Sequence, residues 1–214
     1  MESPEDGREP IVRAATRLFA ALGYDGTSIA QIADSAGREP ADVHVHFATK
    51  REIYLEVMEQ ARGLLGCVVE AGAGELLNAP PERRPEALHR FIDEYLDMCV
   101  AHPEAPALWM HRWLSDASDI ADVEDNSTQP LIQFAVDSVA TVARPAGADP
   151  LHTTYTLIWC IHGFALSGVL DGTGHRCGVE DVRQLGRFRA HMHLMLGRAL
   201  DLPEPEPGGP ATAP

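Results

Sequence analysis

Apolar residues recur at helical spacing along most of the chain, and this pattern predicts an all-α protein. The first helix is predicted to start with Pro10 in its first position and to end at Gly23, because proline suits a helix start and glycine a helix end. Ser28 and Gln31 stand at capping-box spacing and predict the start of a second helix, which Gly37 terminates. No stretch alternates apolar and polar residues in the sustained way that predicts a strand.

The remaining helices are predicted from the same signals. A third, short helix is predicted over residues 40–47, and a second capping box at residues 49–52 opens a fourth helix. Gly72–Gly74 and the Pro80-Pro81 pair are predicted to bracket a connection after it. Further helices are predicted over residues 85–100, from residue 103 onward, and over residues 129–143, 150–170 and 179–200.

The chain is strongly acidic, with 17 Lys and Arg against 32 Asp and Glu and a formal net charge of −15 over 214 residues. Attraction to phosphate needs clustered positive charge, so this balance argues against a protein that coats polyanions. Any binding to nucleic acid must therefore come from a local surface. Sixteen of the 17 basic residues are Arg, and Lys50 is the only lysine.

Several classes of protein and site are disfavoured by what the sequence lacks. The four cysteines are widely spaced, and no apolar segment resembles a signal peptide or a membrane span, so we expect a soluble, cytoplasmic protein without a membrane partner. No two of the ten histidines are three or four residues apart, which disfavours a metal site on one helix. Without a GxSxG, HExxH or P-loop motif, we expect no cofactor, no metal and no catalytic site. An enzyme on a helical bundle remains an alternative class.

Helices two and three form a helix-turn-helix unit, an arrangement that also occurs in all-α proteins that never contact DNA. The residues around it are more specific, because the stretch from Ile11 to Leu55 resembles the DNA-binding domain of the TetR (tetracycline repressor) family of bacterial regulators. The matching pieces are A-A-x-x-L-F at residues 14–19, G-Y-D-G-T-S-I-A-Q-I-A at 23–33, A-G at 36–37 and H-F-A-T-K-R-E-I-Y at 46–54. The rest of the chain resembles the family's ligand-binding and dimerisation domain only in its plan.

Together with composition, the resemblance predicts the organisation of the chain. The fold is expected to have an N-terminal three-helix helix-turn-helix domain and a larger C-terminal helical domain, with about nine helices. The predicted regions are a frayed N-terminus over residues 1–8, a DNA-binding domain over 9–50, a ligand-binding and dimerisation domain over 51–202, and a Pro-rich disordered tail over 203–214.

The resemblance implies DNA contacts around the second and third helices. Thr27 and Ser28 match hydroxyls that contact phosphate, and Lys50 matches a lysine whose ammonium meets phosphate at the head of the fourth helix. His44 stands where the family usually has a phosphate-binding tyrosine. The full set of predicted DNA contacts is Thr27, Ser28, Gln31, Arg38, Glu39, Asp42, His44, His46 and Lys50.

The predicted recognition segment departs from the family pattern. It reads R-E-P-A-D-V-H at residues 38–44, where the family usually has apolar-Ser-Lys/Arg-Gly-Thr/Ala-apolar-Tyr. Residues 1–62 hold seven basic and eleven acidic side chains, a net charge of −4. Three alternatives are open: DNA binding is weak and salt-sensitive, His44 and His46 add charge at low pH, or operator binding has been lost.

The resemblance also implies an effector and a partner subunit. Large aromatic side chains in the middle helices are candidate lining residues for a flat, mostly apolar molecule, with His111 or His162 supplying polarity; core packing is the alternative for each of them. These candidates are Phe91, Tyr95, Trp109, Trp113, Phe134, Tyr155 and Trp159. The last two helices are expected to form a four-helix bundle with those of a second copy.

The sequence therefore predicts a DNA-binding transcriptional regulator. It is expected to be a ligand-responsive repressor that acts as a homodimer on a palindromic double-stranded operator and is released by a small, largely apolar effector. The alternative is a helical dimer that binds a small molecule and no longer contacts DNA.

Overall fold

The computed structural model describes residues 4–114, 116–120 and 128–202, and it confirms the all-α prediction over these residues. Two-residue strands and a single 3-10 turn are the other regular elements in the described ranges. The helices are α1 Pro4–Leu22, α2 Ile29–Ala36, α3 Pro40–His46, α4 Lys50–Asn78, α5 Arg84–Ala101, α6 Glu104–Trp113, α7 Gln129–Ala143, α8 Pro150–Ser167 and α9 Val182–Ala199. The tail predicted over residues 203–214 lies outside the described residues.

The chain divides into two compact units. The first comprises Met1–Cys67 and Met98–Leu131, and the second comprises Val68–Asp97 and Ile132–Pro214. The division falls inside α4 and inside α5, so each of these helices supplies residues to both units. The domain boundary predicted at residue 50 lies at the first residue of α4.

The first unit has one contiguous apolar core, and α6 is part of it. Phe19 of α1, Ile32 of α2 and Val43 of α3 are fully buried in this core. Leu108 of α6 and Ile120, which follows that helix, are buried with them. Burying a large apolar side chain contributes about 1.5–3 kcal/mol, so residues far along the chain stabilise the N-terminal helices.

Local capping signals position α2 and α3 as the sequence predicts. The Ser28 hydroxyl accepts a hydrogen bond from the Gln31 amide at 3.2 Å, and the Gln31 side chain accepts one from the Ser28 amide at 2.8 Å. Gly37 has a φ of 66° and ends α2 in the left-handed conformation that favours glycine. Pro40 occupies the first turn of α3. The helix-turn-helix unit is therefore specified by its own sequence.

The first helix begins earlier than predicted. It starts at Pro4, so Pro10 lies inside the helix and residues of the segment predicted to be frayed are helical. The Arg8 guanidinium lies 4.2 Å from the centre of the Phe47 ring and forms a 3.0 Å ion pair with Glu56. These tertiary contacts offset the helical hydrogen bond that proline cannot donate.

The connection predicted between the glycines at 72–74 and the Pro80-Pro81 pair begins later than predicted, because α4 continues through both glycines to Asn78. A Cβ atom at Gly72 would overlap the ring of Phe91, which is 8% exposed in the second unit. Glycine inside a helix costs about 1 kcal/mol relative to alanine. The close approach of the Phe91 ring leaves no room for a Cβ atom, which explains why glycine stands at position 72 inside the helix.

A small hairpin follows α8, where the sequence predicts helix up to residue 170. The helix ends at Ser167, and β1 (Val169–Leu170) pairs antiparallel with β2 (Arg176–Cys177). Strands of two residues are too short to show alternation, so periodicity could not predict them. None of the helices described is both long and apolar enough to cross a membrane.

Candidate nucleic-acid interface

The third helix buries one face and exposes the opposite one. Val43 and Phe47 enter the core at 0% and 2% exposure. At about 100° per residue, Ala41 and Val45 point away from this buried face. Val45 is 79% exposed, and Ala41 and Asp42 are exposed as well. An apolar surface bordered by polar groups therefore marks the outer side of α3.

The two hydroxyls predicted to contact phosphate lie in different environments. Thr27 is 3% exposed, and its hydroxyl donates to the Gly23 carbonyl at 2.7 Å, so it holds the turn before α2 together. Ser28 is exposed at the head of α2, where its hydroxyl and the Gln31 side chain form the capping box. Of the two hydroxyls, Ser28 is the one placed at the surface.

Lys50 lies at the first residue of α4 and is half-buried. Its Nζ donates to the carbonyls of Tyr24 at 2.8 Å and Thr27 at 3.0 Å, and it lies 4.0 Å from the centre of the Tyr24 ring. The sole lysine therefore connects α4 to the turn between α1 and α2. An ammonium carries three N–H groups, and these two bonds use two of them.

The polar residues of the predicted recognition segment are brought to one surface. Glu39, Asp42 and His44 are exposed, while Arg38 and His46 are half-buried. One oxygen of Asp42 accepts the Glu39 amide at 3.2 Å and caps α3. Carboxylates here repel phosphate but can accept a hydrogen bond from the N4 amino group of cytosine.

One residue that organises this surface was missed from the sequence. Asp116, just beyond α6, accepts hydrogen bonds from the amides of Tyr24 at 2.6 Å and Asp25 at 3.0 Å. The sequence predicts a solvated acidic loop over residues 116–125, of which 121–125 lie outside the described residues, and no local signal in it indicates a partner 91 residues away.

The candidate ligand-binding residues are distributed over both units. Trp109 is 3% exposed in the core of the first unit, and Trp113 packs against that core. The imidazole Nε2 of His111 lies 3.1 Å from the Ala20 carbonyl of α1. In these positions the three side chains pack α6 within the first unit.

The other candidates lie in the second unit. The Tyr95 hydroxyl is 2.7 Å from Nε2 of His162, and burial lowers the pKa of that imidazole to about 4, so it is neutral at pH 7. The ring centres of Tyr155 and Trp159 are 5.4 Å apart, and Trp159 is 54% exposed. Phe91 packs against Gly72, and Phe134 is half-buried.

An ionic network in the second unit joins α5 to α9. Arg189 forms a 2.7 Å ion pair with Asp93 and also pairs with Asp97. His193 contacts the same Asp93 oxygen at 2.9 Å and His89 at 2.8 Å. The two aspartates are one helical turn apart, so from the sequence they indicate only a solvated face. In the described residues, no three His, Cys, Asp or Glu side chains are placed to hold a metal ion.

Comparison with known proteins finds similar chains among bacterial regulators. Residues 11–57 match the family model for bacterial regulatory proteins of the tetR family. The chain is similar to the HTH-type transcriptional repressor AcnR of Corynebacterium efficiens, with 28% identity over 86 residues that cover 38% of this chain and 46% of AcnR. The match thus spans less than half the length of that repressor.

A longer sequence match and a solved structure are similar to this chain as well. The HTH-type transcriptional regulator RutR of Escherichia coli K12 is 24% identical over 155 residues, which cover 71% of this chain and 70% of RutR. The structure of the TetR family transcriptional regulator PfmR from Thermus thermophilus has the same fold, with a TM-score of 0.63, 20% identity and coverage of 89% of this chain and 98% of PfmR. Residues 11–57 of this chain therefore match the tetR family of bacterial regulatory proteins, and the chain has the fold of the TetR family regulators to which it is similar.

Proposed function

We propose that this chain is a DNA-binding transcriptional regulator, a ligand-responsive repressor that acts as a homodimer on a palindromic operator. The observation that carries the proposal is the capped α2–turn–α3 unit with an exposed outer face on α3, within the segment that matches the family model. The similarity to AcnR, named a transcriptional repressor, favours repression over activation.

The outer face of α3 supplies the base contacts in this proposal. A helix fits the major groove of B-DNA, which is about 12 Å wide. Ala41 and Val45 offer methyl groups to the C5-methyl of thymine, and the free oxygen of Asp42 can accept from cytosine. Ser28 at the head of α2 and the third N–H of Lys50 at the head of α4 are the proposed phosphate contacts.

Dimerisation through the last two helices has support in exposed apolar side chains. Trp159 and Leu166 of α8 are 54% and 40% exposed, and Leu194 of α9 is 46% exposed. Trp159 and Leu166 are seven residues apart and so share one face of α8, and large apolar side chains exposed on one face of a monomer indicate an interface. A dimer is required to place two recognition helices in successive major grooves, about 34–36 Å apart.

The proposed effector is a small, largely apolar molecule bound by the second unit. Its candidate lining is aromatic, with Phe91, Tyr95 and Phe134 on α5 and α7, and the neutral His162 supplies one polar group. Tryptophan fluorescence tests this, because an apolar ligand bound beside Tyr155 is expected to shift the emission of Trp159.

A gel-shift titration tests DNA binding directly. The full chain is expected to retard the DNA immediately upstream of its own gene, with log affinity falling linearly as log salt rises. Val45→Glu is expected to weaken binding by at least about tenfold, because a carboxylate replaces the methyl contact to thymine and enters a groove of negative potential. Leu114→Glu is the matched control, since Leu114 is 76% exposed in the same unit but lies outside α3.

The second candidate function is a helical dimer that binds a small molecule and has lost operator binding. The exposed carboxylates of Glu39 and Asp42 favour it, as does the use of Lys50 in bonds to carbonyls. Absence of any retardation at low salt would refute the first candidate and support this one. Sedimentation of Leu166→Glu tests the dimer in either case, because the added charge is expected to produce monomers.

A further inference from the structure

The turn between α1 and α2 is held by a carboxylate from a distant part of the chain. Asp116 Oδ2 accepts the Tyr24 amide at 2.6 Å, and Oδ1 accepts the Asp25 amide at 3.0 Å. Hydrogen bonds to an ionised group are about twice as strong as neutral ones. Gly23 has a φ of 76°, and a Cβ atom there would lie 3.0 Å from Asp116 Oδ1. The backbone of the turn is thus fitted closely to this carboxylate.

The segment that carries Asp116 is itself fixed in place. The guanidinium of Arg112, which is 6% exposed, donates to the carbonyls of Asp116, Ala117 and Ile120. Ala117 and Ile120 are both fully buried in the core of the first unit. Ala117 also has a φ of 52°, a conformation that a non-glycine residue adopts at a cost. The hydrogen bonds from Arg112 and the burial of Ala117 and Ile120 therefore fix the position of the Asp116 carboxylate.

The same turn is held from its other side by Lys50, which donates to the carbonyls of Tyr24 and Thr27. The turn leads directly into α2, whose cap is Ser28. The direction in which α2 and α3 leave α1 therefore depends on two opposite charges, one from α4 and one from the segment after α6.

We propose that Asp116 is a positioning residue for operator binding, which couples the setting of α2 and α3 to residues 116–120. This proposal rests on the proposed DNA-binding function. Asp116 makes no DNA contact in it; the carboxylate fixes the turn from which the DNA-contacting helices start. Coupling is reciprocal, so operator DNA must in turn hold residues 116–120 in this arrangement.

Two isosteric substitutions in the same segment are expected to change operator affinity in different directions. Asp116→Asn and Asp119→Asn each remove one negative charge from the same short segment, and Asp119 is exposed. By charge alone, both changes strengthen binding to DNA. The amide nitrogen of asparagine cannot accept a hydrogen bond, so Asp116→Asn leaves one amide of the turn without its partner. Operator affinity is expected to fall about tenfold in Asp116→Asn and to stay equal or rise in Asp119→Asn.

Fluorescence anisotropy with labelled operator, at a temperature where circular dichroism shows every variant folded, measures these affinities. Asp116→Glu keeps the charge and both acceptor atoms and is expected to recover part of the affinity. A purely structural role would leave the affinity of folded Asp116→Asn unchanged. Affinity equal to or above that of Asp119→Asn would therefore overturn the proposal.

Amide hydrogen exchange in the full chain tests the same bonds without DNA. The amides of Tyr24 and Asp25 are expected to exchange at least about tenfold faster in Asp116→Asn than in the wild type, and unchanged in Asp119→Asn. Equal exchange rates in all three proteins would refute the hydrogen bonds from the amides of Tyr24 and Asp25 to Asp116. Faster exchange together with a wild type that binds no DNA would instead refute the proposed function, and with it the operator part of this proposal.

Discussion

Replacing Lys50 by methionine is expected to destabilise the first unit, although the resemblance marks this lysine as a DNA contact. The change removes two hydrogen bonds from an ammonium to the carbonyls of Tyr24 and Thr27 and a cation–π contact at 4.0 Å. A hydrogen bond to a charged group contributes about 1.5–3 kcal/mol, and a cation–π contact about 0.5–1 kcal/mol at exposed sites. Because the ammonium is half-buried, solvent screening reduces the sum, and we expect a net loss of about 2–4 kcal/mol.

Urea unfolding followed by circular dichroism measures this loss, with Arg13→Met as the control. Arg13 pairs with Glu9 four residues away on the exposed side of α1, and such a pair contributes about 0–1 kcal/mol. Both variants lose one positive charge, so the difference between them isolates the carbonyl bonds and the cation–π contact of Lys50. Equal unfolding free energies for the two variants would refute the structural role of Lys50.

The same variant reports on DNA under conditions where it is folded. If the third N–H of Lys50 meets a phosphate, Lys50→Met is expected to reduce the slope of log affinity against log salt by about 0.9, the contribution of one phosphate. An unchanged slope would show that Lys50 does not contact a phosphate and that its role is limited to its hydrogen bonds within the protein.

Two further predictions concern the second unit. Gly72→Ala is expected to lower the unfolding free energy by about 1–3 kcal/mol, because the new methyl group meets Phe91, whereas Gly74→Ala, with nothing within 4 Å, is expected to raise it by up to about 1 kcal/mol in chemical denaturation. Burial lowers the pKa of His162 to about 4. The unfolded state therefore takes up the proton first as the pH falls from 6.5 to 4, and stability drops over that range by up to about 3 kcal/mol. His162→Gln is expected to reduce this dependence to the part that His89 contributes, since burial lowers the pKa of that imidazole too, and the exposed His191→Gln is expected to leave the dependence unchanged; the reverse pattern would contradict the argument.

The helix-turn-helix unit could be predicted because its signals are local. Ser28 and Gln31 cap α2 through their own backbone, and Gly37 ends it in the conformation that glycine favours. Pro40 opens α3 for the same kind of reason, since its fixed φ suits a first helical turn. Such interactions span four residues or fewer, so sequence spacing alone contains them.

The features that could not be predicted depend on partners far along the chain. The need for glycine at position 72 comes from the ring of Phe91. The extension of α1 before Pro10 is stabilised by the contact of Arg8 with the Phe47 ring. Asp116 is the clearest case, because in the sequence it is one acidic residue in an acidic stretch. Only the tertiary fold brings it to the amides of Tyr24 and Asp25.

The acidity of the proposed DNA-binding region can be explained in part by the contacts that its cations make within the protein. Arg8 pairs with Glu56, Arg13 pairs with Glu9, and Lys50 donates to carbonyls, so these cations already have partners within the protein. Each phosphate that a protein neutralises adds about 0.9 to the slope of log affinity against log salt. Fewer cations that neutralise phosphate would give a shallower salt dependence, so we expect a large share of the affinity to come from base contacts and from accurate placement of α3. That requirement explains why the turn before α2 is held by two opposite charges, and why losing the carboxylate of Asp116 is expected to weaken DNA binding even though the protein becomes less negative.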